Sequence, residues 1–200
     1  MKLVFATNNM HKLSEAQQIL GPEFVLVTPR DMGVTDEIPE EQDTLEGNAL
    51  QKAYYIHERT GADCFADDTG LEVEALDGEP GVYSARYAGP ECSFEDNTAL
   101  LLRNMEGVES RGARFRTVIA LILGGEEYIF EGEVHGEITR EPSGGAGFGY
   151  DPVFRPDGCG QTFAEMDAAQ KNAISHRGRA MERLAAFLAD YPRATVSDGE

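Results

Sequence analysis

The chain has 200 residues, 41% hydrophobic and 26% charged, the proportions of one soluble globular domain and not of a disordered, collagen-like or coiled-coil chain. Seventeen Lys and Arg stand against 36 Asp and Glu, a net charge of −19, and no basic tract offsets it, so nucleic acid is excluded as a partner. No apolar run approaches the ~20 residues of a membrane span. The apolar stretch in MKLVFATNNMHKL is too short for a signal-peptide core, and three widely spaced cysteines offer no CxxC pair. The expectation is a cytoplasmic α/β domain without a membrane partner.

Residues 2–7 read as a short buried strand ended by Asn8-Asn9. Residues 12–20 read as a helix with Leu13, Ala16, Gln17 and Leu20 on one stripe, stopped by Gly21-Pro22. A second strand is expected over 24–28, then an acidic loop over 36–43. Thr44 and Gly47 form an imperfect capping box before a helix over 49–59, with Gly61 beyond its end. Cys64-Phe65-Ala66 reads as a brief strand ending in Asp67-Asp68-Thr69-Gly70, and 71–76 alternates. Ser93 with Asp96 should cap a helix carrying Leu100, Leu101 and Met105. Strands over 114–123 and 128–134 are joined by Gly124-Gly125-Glu126-Glu127, a hairpin signal. A glycine-rich loop spans 142–149, extended structure resumes over 151–154, and 175–189 is an amphipathic helix. Residues 191–200 are expected to form a flexible tail after a single domain over 1–190. With no repeat or linker, the fold expected is α/β around a mixed sheet.

Four segments carry chemistry. Thr7-Asn8-Asn9-Met10-His11-Lys12, between a strand end and a helix start, offers amides, a hydroxyl and one Lys to an anion, without a Walker loop. Asp67 and Asp68 point to opposite sides of an extended chain, so one of them faces a given cleft and can hold a hard cation or polarise water. Glu40 and Glu41 are loop acids that could supply a second carboxylate. Phe148-Gly149-Tyr150-Asp151 closes the glycine-rich loop with aromatic faces suited to stacking on a base. Lys171, His176 and Arg177 gather three potential cations around a helix start, where they oppose the helix dipole unless an anion or polar ligand compensates. They suit binding better than acid–base work, because Arg stays protonated.

Taken together, ATNNxxK, FADDTGLEVEAL with GxPGVYSARYAG, GFGYDPVF and KNAISHR, in this order over residues 2 to about 188, resemble the inosine triphosphate pyrophosphatase family, whose bacterial members are the RdgB-type dITP/XTP pyrophosphatases. The resemblance implies two lobes around a long central sheet with the active site in the cleft, a homodimer, and Mg²⁺-dependent hydrolysis of ITP, dITP and XTP to the monophosphate and pyrophosphate. It places phosphate binding on Thr7 to Lys12 and metal binding on Glu40 and Asp68, the latter also the proton acceptor. Thr69, Phe148, Gly149, Tyr150, Asp151, Lys171, His176 and Arg177 become substrate contacts. Where relatives read ETGxTFEENA this chain has Gln42 and Gly47, so Glu41 stays open as the second ligand. The alternatives are a pyrophosphatase for another damaged base, a nucleotide sensor without catalysis, and a structural module. The retained Asp67, Asp68, Lys12 and His176-Arg177 count against the sensor, and the cations of 171–177 against the module.

Overall fold

The structure, a computed structural model, describes residues 1–191, so the tail expected over 191–200 lies, Tyr191 apart, outside the described residues. In chain order it comprises β1 (Lys2–Phe5), α1 (Met10–Leu20), β2 (Val25–Val27), α2 (Leu45–Thr60), β3 (Cys64–Val73), β4 (Pro80–Gly81), α3 (Phe94–Asn104), β5 (Gly112–Leu123), β6 (Glu126–Ile138), β7 (Phe154–Pro156), α4 (Ala168–Ile174) and α5 (His176–Asp190). The strands form one sheet in the order β2-β1-β3-β5-β6-β7, with β4 added to β3. β1 runs parallel to β2 and β3, and the other pairs are antiparallel. A mixed sheet was the expectation, and it is what forms.

Local chemistry sets the boundaries. Asn9 caps α1 by accepting from the amides of His11 and Lys12, and Thr44 caps α2 by accepting from Gly47. Ser93 and Asp96 complete a reciprocal capping box on α3. Gly124 and Gly125 both have positive φ, 61° and 82°, and make the two-residue turn that pairs Leu123 with Glu126.

Three expectations are corrected. Asp67-Asp68-Thr69-Gly70 does not end a strand; it lies inside β3, which pairs with β5 from Cys64↔Ile122 to Val73↔Ala113. The turn-like composition is overridden because both carboxylates find cationic partners and Gly70 lets β4 close in. A Cβ there would stand 2.7 Å from the Gly81 carbonyl oxygen. Residues 151–153 form a 3₁₀ turn before the short β7. Lys171 belongs to α4, a separate seven-residue helix, and only His176 and Arg177 begin α5.

Two halves of the molecule share β3, β5 and β6. In one half, α1 and α5 cover Phe65, Ile119 and Leu121 on one sheet face, and α2 covers Ala66, Val118 and Ala120 on the other. In the other half, Leu71, Val73, Ala113, Phe115 and Val134 pack with Phe154 and Phe163. Between these cores lie residues 67–70, so the polar segment of β3 occupies the seam. α5 rests close on β6: a Cβ at Gly132 would meet the His176 carbonyl oxygen at 2.2 Å. No helix among the described residues is long and apolar enough to cross a membrane.

Candidate active site

A cavity of about 340 Å³ opens at the seam and gathers residues from all four sequence segments. Thr7, Asn8, Asn9 and Lys12 line it, from the β1–α1 turn. Asn9 uses its side chain as the helix cap, and its own amide donates to Thr7 Oγ1 at 3.1 Å. Met10 is 65% exposed and stands away from the cavity, and His11 stacks on Phe148 with ring centroids 5.3 Å apart. The hexapeptide therefore splits: Thr7, Asn8, Asn9 and Lys12 face the cavity, and Met10 and His11 do not line it.

The adjacent aspartates diverge as alternation requires. Asp67, 1% exposed, accepts from Lys12 Nζ at 3.0 Å and Arg177 Nε at 3.1 Å, between α1 and α5. Asp68 turns to α2, accepting from Asn48 Nδ2 at 3.1 Å, with Lys52 Nζ at 3.6 Å. Lys52 also reaches Glu40 Oε1 at 2.5 Å, so one ammonium sits between two carboxylates. Of the two loop acids Glu40 lines the cavity, whereas Glu41 is exposed with its amide on Gln51. Burial pushes the Asp68 carboxyl above its usual range, against the pull of Lys52 and Lys12. Burial alone would raise Asp67 too, but Lys12 and Arg177 hold it well below that range.

Among the described residues no three His, Cys, Asp or Glu side chains cluster as metal ligands. Mg²⁺ commonly takes only one or two carboxylates and completes its shell with water and substrate phosphate. Glu40 and Asp68, hard oxygen donors already holding a cationic ammonium between them, fit that requirement.

The expected trio of cations is corrected to two. His176, 3% exposed, lies flat on Phe115 with centroids 4.5 Å apart, and burial, then Arg177 and Lys171, push its pKa well below the usual value. It is neutral. Lys171 and Arg177 are compensated from within: Glu15 of α1 accepts from Lys171 Nζ at 2.7 Å and from Arg177 Nη1 at 2.6 Å. Lys171 also reaches Asp151 at 2.7 Å, and Arg177 Nη2 donates to Thr69 Oγ1 at 3.2 Å. Four cations (Lys12, Lys52, Lys171, Arg177) thus meet five carboxylates (Glu15, Glu40, Asp67, Asp68, Asp151).

A depressed histidine makes stability depend on pH. The unfolded chain takes up the proton near pH 6.5 while the folded one refuses it, so stability is full above that value and falls with pH below it, by up to about 1.4 kcal/mol per unit. Chemical denaturation of wild type and His176→Phe across this window checks it: the variant should lose the acid-side slope.

The glycine-rich loop brings Phe148, Gly149, Tyr150 and Asp151 to the cavity. The Phe148 ring lies 4.9 Å from Lys171 Nζ and 5.5 Å from the Arg177 guanidinium carbon, and Phe94 tilts towards it at 5.9 Å. Tyr150 is buried and spends its hydroxyl on the Ser84 carbonyl at 2.8 Å. Asp151 anchors the loop by accepting from the Phe148 amide at 2.9 Å. Among the described residues, His176 Nδ1 is the one buried side-chain polar atom without a hydrogen-bond partner.

The sequence model of the Ham1 family matches residues 3–187. This chain belongs to the Ham1 family. The dITP/XTP pyrophosphatase of Flavobacterium johnsoniae is 50% identical over 188 residues, 94% of this chain and 98% of that protein. The dITP/XTP pyrophosphatase of Porphyromonas gingivalis is 52% identical over 94% of this chain and 97% of its own. The solved structure of the Staphylococcus aureus Ham1 protein superposes with a TM-score of 0.86 at 37% identity, covering 94% of this chain and 98% of that one.

Two residues that sequence reasoning missed are central to this Ham1 site. Lys52, 4% exposed, bridges Glu40 and Asp68, and Glu15 bridges Lys171 and Arg177. Lys52 left a signal. With Asn48 it falls on the helical stripe Leu45, Ala49, Ala53, Ile56, where a polar residue must have a buried partner. Glu15 gave none, since a charged residue in α1 reads as an ordinary surface position.

Proposed function

We propose that this Ham1-family chain hydrolyses non-standard purine nucleoside triphosphates (ITP, dITP and XTP) to the nucleoside monophosphate and pyrophosphate. The observation that carries this is that one cavity is lined both by carboxylates paired with cations and by the aromatic rings of Phe94, Phe115 and Phe148. A polyphosphate needs the first and a base the second. The F. johnsoniae and P. gingivalis relatives are named for dITP and XTP, which supports those two of the substrates.

Lys12 and the Thr7–Asn9 turn bind phosphate oxygens, and Lys52 takes up charge beside Asp68. Glu40 and Asp68 would hold Mg²⁺, which neutralises phosphate charge and polarises the phosphorus–oxygen bonds. Asp68, whose burial raises its proton affinity, accepts the proton of a water attacking the α-phosphorus. The bond from the α-phosphorus to the oxygen bridging to the β-phosphorus breaks, and pyrophosphate leaves. Phe148 stacks on the base, and Lys171, Arg177 and His176 supply polar contacts to its edge. A 6-oxo group accepts from these donors. An exocyclic amine of adenine leaves a donor unpaired, at about 1–3 kcal/mol. A homodimer belongs to the same reading, and sedimentation of the pure protein tests it.

The deciding experiment measures pyrophosphate release from ITP, XTP, dITP, ATP, GTP and dTTP, each with Mg²⁺ and with EDTA. Metal-dependent release confined to inosine and xanthine nucleotides is expected. Release from a different nucleotide alone would move the base specificity elsewhere, and binding without any release would replace the enzyme with a sensor.

A further inference from the structure

We infer that Arg86 grips the terminal phosphates of the bound nucleotide and thereby selects a triphosphate over a diphosphate, an inference that rests on the pyrophosphatase reading above. Arg86 ends a 3₁₀ turn, Ser84–Arg86, whose first two residues line the cavity. The backbone of this turn is fixed from several sides. Ser84 Oγ donates to the Gly81 carbonyl at 2.6 Å and accepts from the Leu71 amide at 2.9 Å. The Ser84 carbonyl accepts from Tyr150 at 2.8 Å, and the Ala85 carbonyl accepts from Asn97 at 3.2 Å.

The side chain is held far more loosely. Its Nη1 lies 4.0 Å from Glu40 Oε2, beyond hydrogen-bond distance, and it is 34% exposed. The guanidinium stands 5.3 Å from the ring of Tyr83, itself 53% exposed, next along the chain to the cavity-lining Ser84 and Ala85. By contrast each of the four cations that line the cavity has a carboxylate oxygen within 3.1 Å. Arg86 is thus an under-used cation on a rigid base. It shares Glu40 with Lys52, which ties it to the part of the cavity that holds the acids.

Charge favours such a group beside the Mg²⁺ that Glu40 and Asp68 would hold. The carboxylates of the site outnumber its four internal cations by one, so those cations neutralise one another's partners and little of a polyphosphate. A guanidinium fork matches two phosphate oxygens at once, and Arg86 gains more from phosphate than it loses from a 4.0 Å contact with Glu40. A diphosphate, one phosphate shorter, does not offer it those oxygens.

Two arms test this with Arg86→Gln and Arg86→Lys, in Mg²⁺ buffer. In the first, inorganic triphosphate and IMP are titrated into each protein by calorimetry. Arg86→Gln should bind triphosphate roughly tenfold more weakly with IMP binding unchanged, and Arg86→Lys should fall between. In the second, kcat/KM is measured for ITP and IDP. Arg86→Gln should lose activity on ITP by a similar factor and keep its activity on IDP, so the preference collapses. Unaltered triphosphate binding, or equal losses on ITP and IDP, overturns the inference. Wild type that binds triphosphate but releases no pyrophosphate from any nucleotide overturns the pyrophosphatase reading instead, and the first arm still decides the role of Arg86 as a phosphate grip.

Discussion

Asp68→Asn should lower pyrophosphate release by roughly 10²- to 10⁴-fold while leaving the protein folded. Asparagine keeps the shape but has one carbonyl oxygen where Asp68 uses two, Oδ2 towards Asn48 and Oδ1 towards the Thr69 amide at 3.1 Å each, so it retains one of these contacts. It cannot accept a proton, and it offers a weaker oxygen to a cation. The side chain is buried but lines the cavity, and removing its charge strands only Lys52, which keeps Glu40 at 2.5 Å. A pH–rate profile adds a second readout. Because burial raises the Asp68 carboxyl, activity falls as acid protonates it, and that acid limb should vanish from the residual rate of the variant. Full activity in Asp68→Asn would remove this residue from the chemistry.

Asp67→Ala should do the opposite: it should unfold the protein more readily, by about 3–5 kcal/mol, before any question of catalysis arises. Asp67 is the shared anion of Lys12 and Arg177, and Arg177 is 2% exposed. Removing it leaves the buried Arg177 and the half-buried Lys12 facing each other, with Glu15 the remaining carboxylate on Arg177. In a chain of this size the melting temperature should fall on the order of 10 °C. The sign of the pH effect follows from the depressed carboxyl. Its stabilisation is complete above the unfolded value of about 4 and is lost as pH falls through the lower folded value. Wild type and variant should therefore differ fully at neutral pH and converge in strong acid, which denaturation at both extremes measures. Equal stability at neutral pH would show that Asp67 is not what holds these cations.

Much of this was legible in the sequence because it was local. The caps at Asn9, Thr44 and Ser93, the Gly124-Gly125 turn and the stripe of α1 each depend on residues a few positions apart. The four chemical segments were equally visible, since each packs its polar residues into one short run. What failed was non-local. Asp67-Asp68-Thr69-Gly70 reads as a turn until β5 supplies a full-length partner and α1, α2 and α5 supply cations from residues 12, 52 and 177. His176 reads as a cation until burial against Phe115 removes its proton. Glu15 reads as surface because its partners lie 156 and 162 positions away.

The strands β3, β5 and β6 each pass from one core into the other, and this restricts how the enzyme can move. A door-like hinge needs a flexible joint between two bodies, and here the joint would be three long hydrogen-bonded strands. Large-scale opening would have to flex the sheet itself, like a leaf spring, with small amplitude and a steep restoring force. Entry and exit of ligand therefore fall to the loops at the rim. The same continuity forbids modular exchange: a cut between the two cores leaves each fragment with half-strands and one unburied edge, so neither half can be swapped, or fold, without the other.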